Sequence, residues 1–106
     1  MTMETHEILF EVYCDETTPL MDVIKLHEDV DIEFASGFGG LEIIGTLIIP
    51  GAALALQVLS LIREMKRKEY PTLIIKQVHI HIDNNRTLIS APTLEELEKV
   101  LINIEK

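Results

Sequence analysis

Hydrophobic and polar residues alternate along several short stretches of the chain, a pattern that predicts strands with one face in a core. The stretches are residues 7–14, 30–34 and 72–83. Asn84-Asn85 follows the third stretch and suits a two-residue turn, because asparagine tolerates a positive φ. Residues 86–90 are therefore expected to return as the partner strand of a β-hairpin.

Other stretches repeat apolar residues every three or four positions, which predicts helices. Thr18-Pro19 is expected to begin a short helix, with the threonine as its cap and the proline at the first helical position. A long helix is expected from residue 50 to about residue 68. Thr93 and Glu96 have the spacing of a capping box, so the last helix is expected to begin there.

The longest apolar run, residues 43–62, contains no charged residue and is followed by a basic cluster. A run of this length can cross a bilayer, and the basic residues would then lie on the cytoplasmic side. Pro50-Gly51 interrupts the run, which favours a buried segment over residues 41–49, either a strand or the start of a helix, and a separate helix after it. Membrane association and burial in the core are therefore the two alternatives for residues 41–62. Burial is preferred, because a span would split the other elements into fragments with small cores. The basic cluster comprises Arg63, Lys66, Arg67 and Lys68.

The order of the elements is strand, helix, strand, apolar segment, long helix, hairpin and helix. This order predicts an α+β fold for a single domain over residues 1–106. We expect a small sheet with a strand–helix–strand unit, a long apolar central helix, and a C-terminal β-hairpin followed by a helix. Hydrophobic residues make up 47% of the chain and aromatic residues 5%, so the core is expected to be aliphatic.

The charge of the chain argues against nucleic acid as a partner. The formal net charge is −9, whereas a protein that tracks phosphates needs clustered cations to displace counterions. Cys14 is the single cysteine, which excludes an internal disulfide and suits a reducing cytoplasm. A small buried side chain is expected there rather than a nucleophile. The first residues lack the basic and apolar regions of a secretory signal, so a cytoplasmic location is expected.

His79, His81 and Asp83 are spaced two residues apart and are expected to share one face of a strand. A zinc site needs three or four converging ligands, and the remaining histidines, His6 and His27, belong to no motif with these. An exposed polar face of the hairpin is the preferred interpretation. No metal site, no cofactor and no catalytic residue is therefore predicted, and the chain is expected not to be an enzyme.

A glycine-rich break at residues 36–40 lacks the spacing and the final Lys or Ser/Thr of phosphate-binding loops. A hinge or a close-packing role is expected there. Glu42 follows, between the glycines and the apolar run. It is a candidate functional carboxylate, and the water-facing end of the apolar segment is its preferred interpretation.

Small residues recur four positions apart at the start of the long helix, at Gly51 and Ala55. This spacing lets helix backbones approach closely, in a membrane or in a packed oligomer. Tight packing against the domain's own sheet explains it equally well. The residues expected to form a self-association or membrane segment are Ile49, Gly51, Ala52, Ala55, Leu56, Leu59 and Ile62.

The order of motifs over residues 37–106 resembles a known family. An apolar stretch after a glycine pair runs to a Pro-Gly break, and a helix with a basic end, an alternating strand, a polar turn and a Glu-Glu-Leu helix follow. These motifs are Gly39-Gly40-Leu41, Pro50-Gly51, Ala52 to Lys68, Val78 to Ser90 and Glu95-Glu96-Leu97. In this order the chain resembles the small effector-associated constant component family of prokaryotic conflict systems. Members of that family are encoded beside proteases, caspase-like proteins or nucleotide-dependent immune modules. The resemblance implies a non-enzymatic accessory protein that acts through protein contacts.

The leading hypothesis is therefore a homo-oligomerising accessory or adaptor protein of a bacterial defence system. Its expected partner is an effector such as a protease or a nucleotide-dependent module. The alternative is a membrane-inserting effector that uses residues 43–62 to permeabilise the membrane. A metal-dependent enzyme that uses His79 and His81 is the weakest of the three hypotheses.

Overall fold

The computed structural model of the chain describes residues 6–36 and 43–105. Within them the chain forms five strands and three helices, so the fold class is α+β as the sequence predicts. In chain order the elements are β1 His6–Cys14, α1 Thr18–Leu26, β2 Asp31–Ser36, β3 Ile43–Pro50, α2 Ala52–Lys68, β4 Ile74–Ile82, β5 Asn85–Ser90 and α3 Leu94–Glu105.

The strands form one antiparallel sheet in the order β2-β3-β1-β4-β5. β3 lies between β1 and β2, the two strands that α1 connects. In the same way, β1 lies between β3 and β4, the two strands that α2 connects. This is the connectivity of the ferredoxin-like, split β-α-β motif, here extended by β5 and α3.

β1 is the central strand of the sheet, and its alternate residues are buried. Phe10 pairs with Leu47 of β3 on one side and with Val78 of β4 on the other, and all three side chains are fully buried. Leu20 of α1 and Leu97 of α3 belong to the same buried cluster. The core therefore lies between one face of the sheet and the helices, and its composition is mainly aliphatic as expected.

The apolar run at residues 43–62 is divided between a strand and a helix. β3 ends at Pro50, Gly51 has a φ of 107°, and α2 begins at Ala52. A φ in this region is accessible to glycine at little cost, so Gly51 supplies the sharp change of direction. The predicted break at Pro50-Gly51 is confirmed.

The central helix is amphipathic rather than apolar along its whole length. Its buried residues recur at helical spacing on one side, and Ala53, Gln57 and Ser60 on the other side are exposed. The helix predicted from residue 50 to about residue 68 is α2, which begins two residues later than expected and is apolar only on its buried side.

Of three predicted element ends, one is confirmed and two differ by one residue. The β4–β5 turn is formed by Asp83-Asn84 and not by Asn84-Asn85, since Ile82 pairs with Asn85 and Asp83 takes the positive φ of 53°. The cap of α1 is Thr17, one residue before the predicted Thr18. The predicted cap of α3 is confirmed, because Thr93 Oγ1 accepts a 3.1 Å hydrogen bond from the Glu96 backbone N–H.

Candidate functional site

The three helices lie on one face of the sheet, since their buried residues join the buried strand residues in a single cluster. In the part of the chain that the structure describes, no helix or strand packs on the opposite face. We call this surface the open face. Its residues come from all five strands: Asp31, Glu33 and Ala35; Ile44, Thr46, Ile48 and Pro50; Glu7, Leu9, Glu11 and Tyr13; Ile74, Lys76, Gln77, His79 and His81; and Arg86, Leu88 and Ser90.

An apolar row crosses the open face at the level of Leu9. The strand register places Ile48 on one side of Leu9, and His79 followed by Leu88 on the other. Leu9, Ile48 and His79 are half-buried, and Leu88 is 53% exposed. Four strands thus present one continuous, largely apolar strip to solvent.

A second apolar row lies four residues along β1 and β3 from the first. Tyr13 pairs with Ile44 on one side and with Ile74, which is 41% exposed, on the other. A shift in the β1–β4 register beside this row leaves Lys76 as the extra residue of a bulge. Lys76 Nζ lies 5.2 Å from the centroid of the Tyr13 ring, a cation–π distance that holds the ammonium group on the open face.

The charges of the open face are divided between its two sides. Glu7 and Glu11 lie on β1, and β2 adds two carboxylates at its edge. Lys76 lies on β4 and Arg86 on β5. Across β3, β1, β4 and β5 the formal charge of this face is zero with neutral histidines, whereas the whole chain carries −9.

His79 and His81 lie on the open face and not on a fully exposed polar surface. Both are half-buried, and their ring centroids are 6.5 Å apart at an interplanar angle of 87°. His81 Nε2 is buried with no hydrogen-bond partner in the described structure. Asp83 lies in the turn beyond the strand. Among residues 6–36 and 43–105, no group of three or more His, Cys, Asp or Glu side chains is arranged to hold a metal ion.

Most residues of the predicted self-association segment belong to the chain's own core. Gly51 and Leu56 are half-buried, and the other five are buried beneath the sheet or along the inner side of α2. Those five side chains are therefore unavailable to a second copy or to lipid while the fold is intact. The five are Ile49, Ala52, Ala55, Leu59 and Ile62.

Three side chains of the predicted basic cluster are paired with glutamates of the helices. Arg63 donates a 2.7 Å hydrogen bond to Glu98 of α3. Arg67 and Lys68 lie 3.2 Å and 3.3 Å from the two carboxylate oxygens of Glu64. The hydrogen bond from Lys68, together with the charge of Arg67, holds the pKa of the Glu64 carboxyl below its ordinary value.

Lys66, the fourth member of the cluster, lines a shallow groove beside β4 and the start of α3. The cluster as a whole is therefore not an isolated positive patch. None of the helices that the structure describes has the length and the apolar character needed to cross a membrane.

Cys14 is a buried thiol at the end of β1, as expected for a small core side chain. Its Sγ lies 3.7 Å from Asp15 Oδ1, and burial, with the negative charge of Asp15, raises the pKa of the thiol above its ordinary value. A raised pKa leaves less thiolate at neutral pH, so the environment of Cys14 opposes nucleophilic chemistry.

A groove of about 360 Å³ lies between α1 and α2 on the helical side of the molecule. Leu26, Leu61, Met65 and Tyr70 contribute its apolar lining, and Leu26 is 64% exposed. Charges of both signs surround it. The groove is a second exposed apolar surface, on the side away from the open face.

Of the glycine-rich break predicted at residues 36–40, Ser36 is the last residue of β2, and the rest lies outside the described residues, as does the candidate carboxylate Glu42. Comparisons with protein families, with curated proteins and with solved structures found no match for this chain.

Sequence reasoning did not find the open face. A signal was present in β1, where Leu9 and Tyr13 alternate with glutamates on the side opposite the core. A second signal was the apolar character of both faces of β3. These signals indicate an apolar surface only once the strand order is known, because it places Ile48 and Leu88 in the same row as Leu9.

Proposed function

We propose that the chain is a non-enzymatic accessory module of a bacterial defence system, which acts in the cytoplasm through protein–protein contacts and self-association. The observation that carries the proposal is the open face, with its two half-exposed apolar rows. Apolar patches that extend over several strands are characteristic of protein interaction surfaces. Their apolar and aromatic content resembles the cores of such surfaces more than their polar rims.

The defence role rests on the resemblance of residues 37–106 to effector-associated proteins. That resemblance supports an effector as the partner, such as a protease or a nucleotide-dependent module. The net charge of −9 favours a protein over a nucleic acid as the ligand.

Membrane insertion of residues 43–62 has a large physical cost in this fold. β3 pairs with β1 along its whole length and with β2 along most of it, so insertion would expose both neighbouring strands. It would also remove Leu47 and Ile49 from the core, where both are fully buried. Protein contact through the open face requires no such rearrangement.

The test measures binding between the purified chain and the products of the genes adjacent to its own, by interferometry with the chain immobilised. We expect one of them to bind, and we expect Leu88→Lys to weaken that binding at least about tenfold, because a lysine in the apolar row would disfavour both direct contact with a partner and self-association of the chain. Ile102→Lys is the matched control, since Ile102 is 38% exposed on α3 and lies away from the open face.

Equal binding by the wild type and both variants would contradict the assignment of the open face. A chain that neither self-associates nor binds any neighbouring product would contradict the proposed function itself.

A further inference from the structure

We propose that a second copy of this chain packs on the open face, in a face-to-face dimer whose twofold axis runs parallel to the strands between β1 and β4. The inference rests on the proposed function, because it names the occupant of the same surface. Such a dimer is isologous, so each contact between two residues occurs twice. β1 of each copy then lies over β4 of the other, and β3 lies over β5.

The apolar rows match in this arrangement. An axis parallel to the strands keeps each row at its own level, so Leu9 of one copy lies opposite His79 of the other, and Ile48 lies opposite Leu88. In the second row, Tyr13 lies opposite Ile74. Residues that are half-exposed in one copy are therefore covered by apolar residues of the second.

The charges match as well. Glu11 of one copy lies opposite the Lys76-Gln77 segment of the other, and Glu7 lies opposite His81. The four overlapping strands have a formal charge of zero in a chain that carries −9, so this face lets two copies approach without close repulsion.

The position of the axis follows from the same charges. An axis directly over β1 would bring Glu11 of one copy onto Glu11 of the other, and like charges at such a contact are strongly unfavourable. Moving the axis to the β1–β4 boundary replaces this repulsion with an attraction between Glu11 and Lys76. The acidic edge strand β2 then lies outside the overlap.

The size of the open face suits a dimer of moderate strength. The four overlapping strands at their usual spacing span about 19 Å, and the eight residues of β3 extend about 27 Å, which gives roughly 500 Å² before side-chain relief is counted. Stable interfaces bury about 800 Å² on each partner. Two sheets with aligned strands pack about 10 Å apart, which lets their side chains interdigitate.

The first experiment measures the molar mass of the wild type and two variants by sedimentation equilibrium over a wide concentration range. We expect the wild type to be a dimer. We expect the dissociation constant of the Leu88→Lys dimer to be at least about thirtyfold higher than that of the wild-type dimer. Ile102→Lys, which adds the same charge on the helical side, is expected to leave the dissociation constant unchanged. Circular dichroism tests whether each variant is folded.

The second experiment tests which charges face each other. Glu11→Lys alone and Lys76→Glu alone each place like charges across the interface, so each is expected to weaken dimerisation at least about tenfold. An equimolar mixture of the two variants restores opposite charges at both contacts. The mixture is therefore expected to form a heterodimer with a dissociation constant within about threefold of the wild type.

The outcomes separate this inference from the proposed function. A monomeric wild type, or single variants whose mixture does not associate, would overturn the dimer proposed here. If the wild type is monomeric but Leu88→Lys abolishes binding to an effector, the open face is occupied by another protein. In that case the proposed function stands and the second copy is excluded.

Discussion

At the scale of single residues, Gly45 makes room for the first helix. It lies on the core face of β3, and a Cβ atom there would come within 2.7 Å of Leu20 Cδ1 of α1 and 3.1 Å of Ile32 Cδ1. Leu20 is 1% exposed, so its side chain has little space to yield. The sequence shows this glycine only as an interruption of an apolar run, because the neighbour that requires it is 25 residues away in the chain.

Gly45→Val is therefore expected to lower the free energy of unfolding by about 1–3 kcal/mol, the usual cost of overfilling a packed core. Urea denaturation monitored by circular dichroism measures it. Ala35→Val is the control, since Ala35 is exposed on the neighbouring strand β2 and valine suits a strand. Equal stability of Gly45→Val and the wild type would show that Leu20 and Ile32 can move aside.

At the scale of elements, the boundaries of helices and strands were predicted with different success. The start of α3 was predicted because Thr93 and Glu96 form a local signal that acts over three residues. The β4–β5 turn was displaced by one residue, because its position depends on the register of two strands. The run at residues 43–62 could be divided at Pro50-Gly51, yet β3 could not be identified as a strand because buried strands and buried helices are similarly apolar.

Thr93→Ala removes the side-chain acceptor at the start of α3 and is expected to lower the free energy of unfolding by about 1 kcal/mol. Thr93→Ser keeps the hydroxyl group and is expected to retain most of that stability. Thermal and urea unfolding of the three proteins gives the comparison. A loss in the serine variant as large as that in the alanine variant would indicate that packing of the threonine methyl group, and not capping, stabilises this end.

At the scale of the whole molecule, the three helices that the structure describes cover one side of the sheet, and no helix or strand among the described residues covers the other. The residues that the sequence suggested for self-association are largely inside the core, whereas the residues now assigned to it are dispersed over β1, β3, β4 and β5. Each strand contributes only a few of these residues. The surface therefore cannot be recognised from any single contiguous segment of the sequence.

Coupling between folding and association gives a further prediction. Only folded chains form the dimer, so association stabilises the folded state. The midpoint of thermal unfolding of the wild type is therefore expected to rise with protein concentration. Leu88→Lys is expected to lose this dependence and Ile102→Lys to keep it. A midpoint that is the same at low and high concentration of the wild type would argue against a dimer that forms on folding.

The sequence by itself determined the α+β class, the alternating strands, the division at Pro50-Gly51 and the cap at Thr93. Each of these depends on residues within one turn or one strand, where steric preference and periodicity act directly. Only the tertiary structure decided the strand order, the burial of Ile49 and Ala55, and the meeting of Leu9, Ile48 and Leu88 in one row. Pairing between strands that are distant in sequence depends on how the whole core packs. A local sequence pattern therefore does not indicate which strands become neighbours.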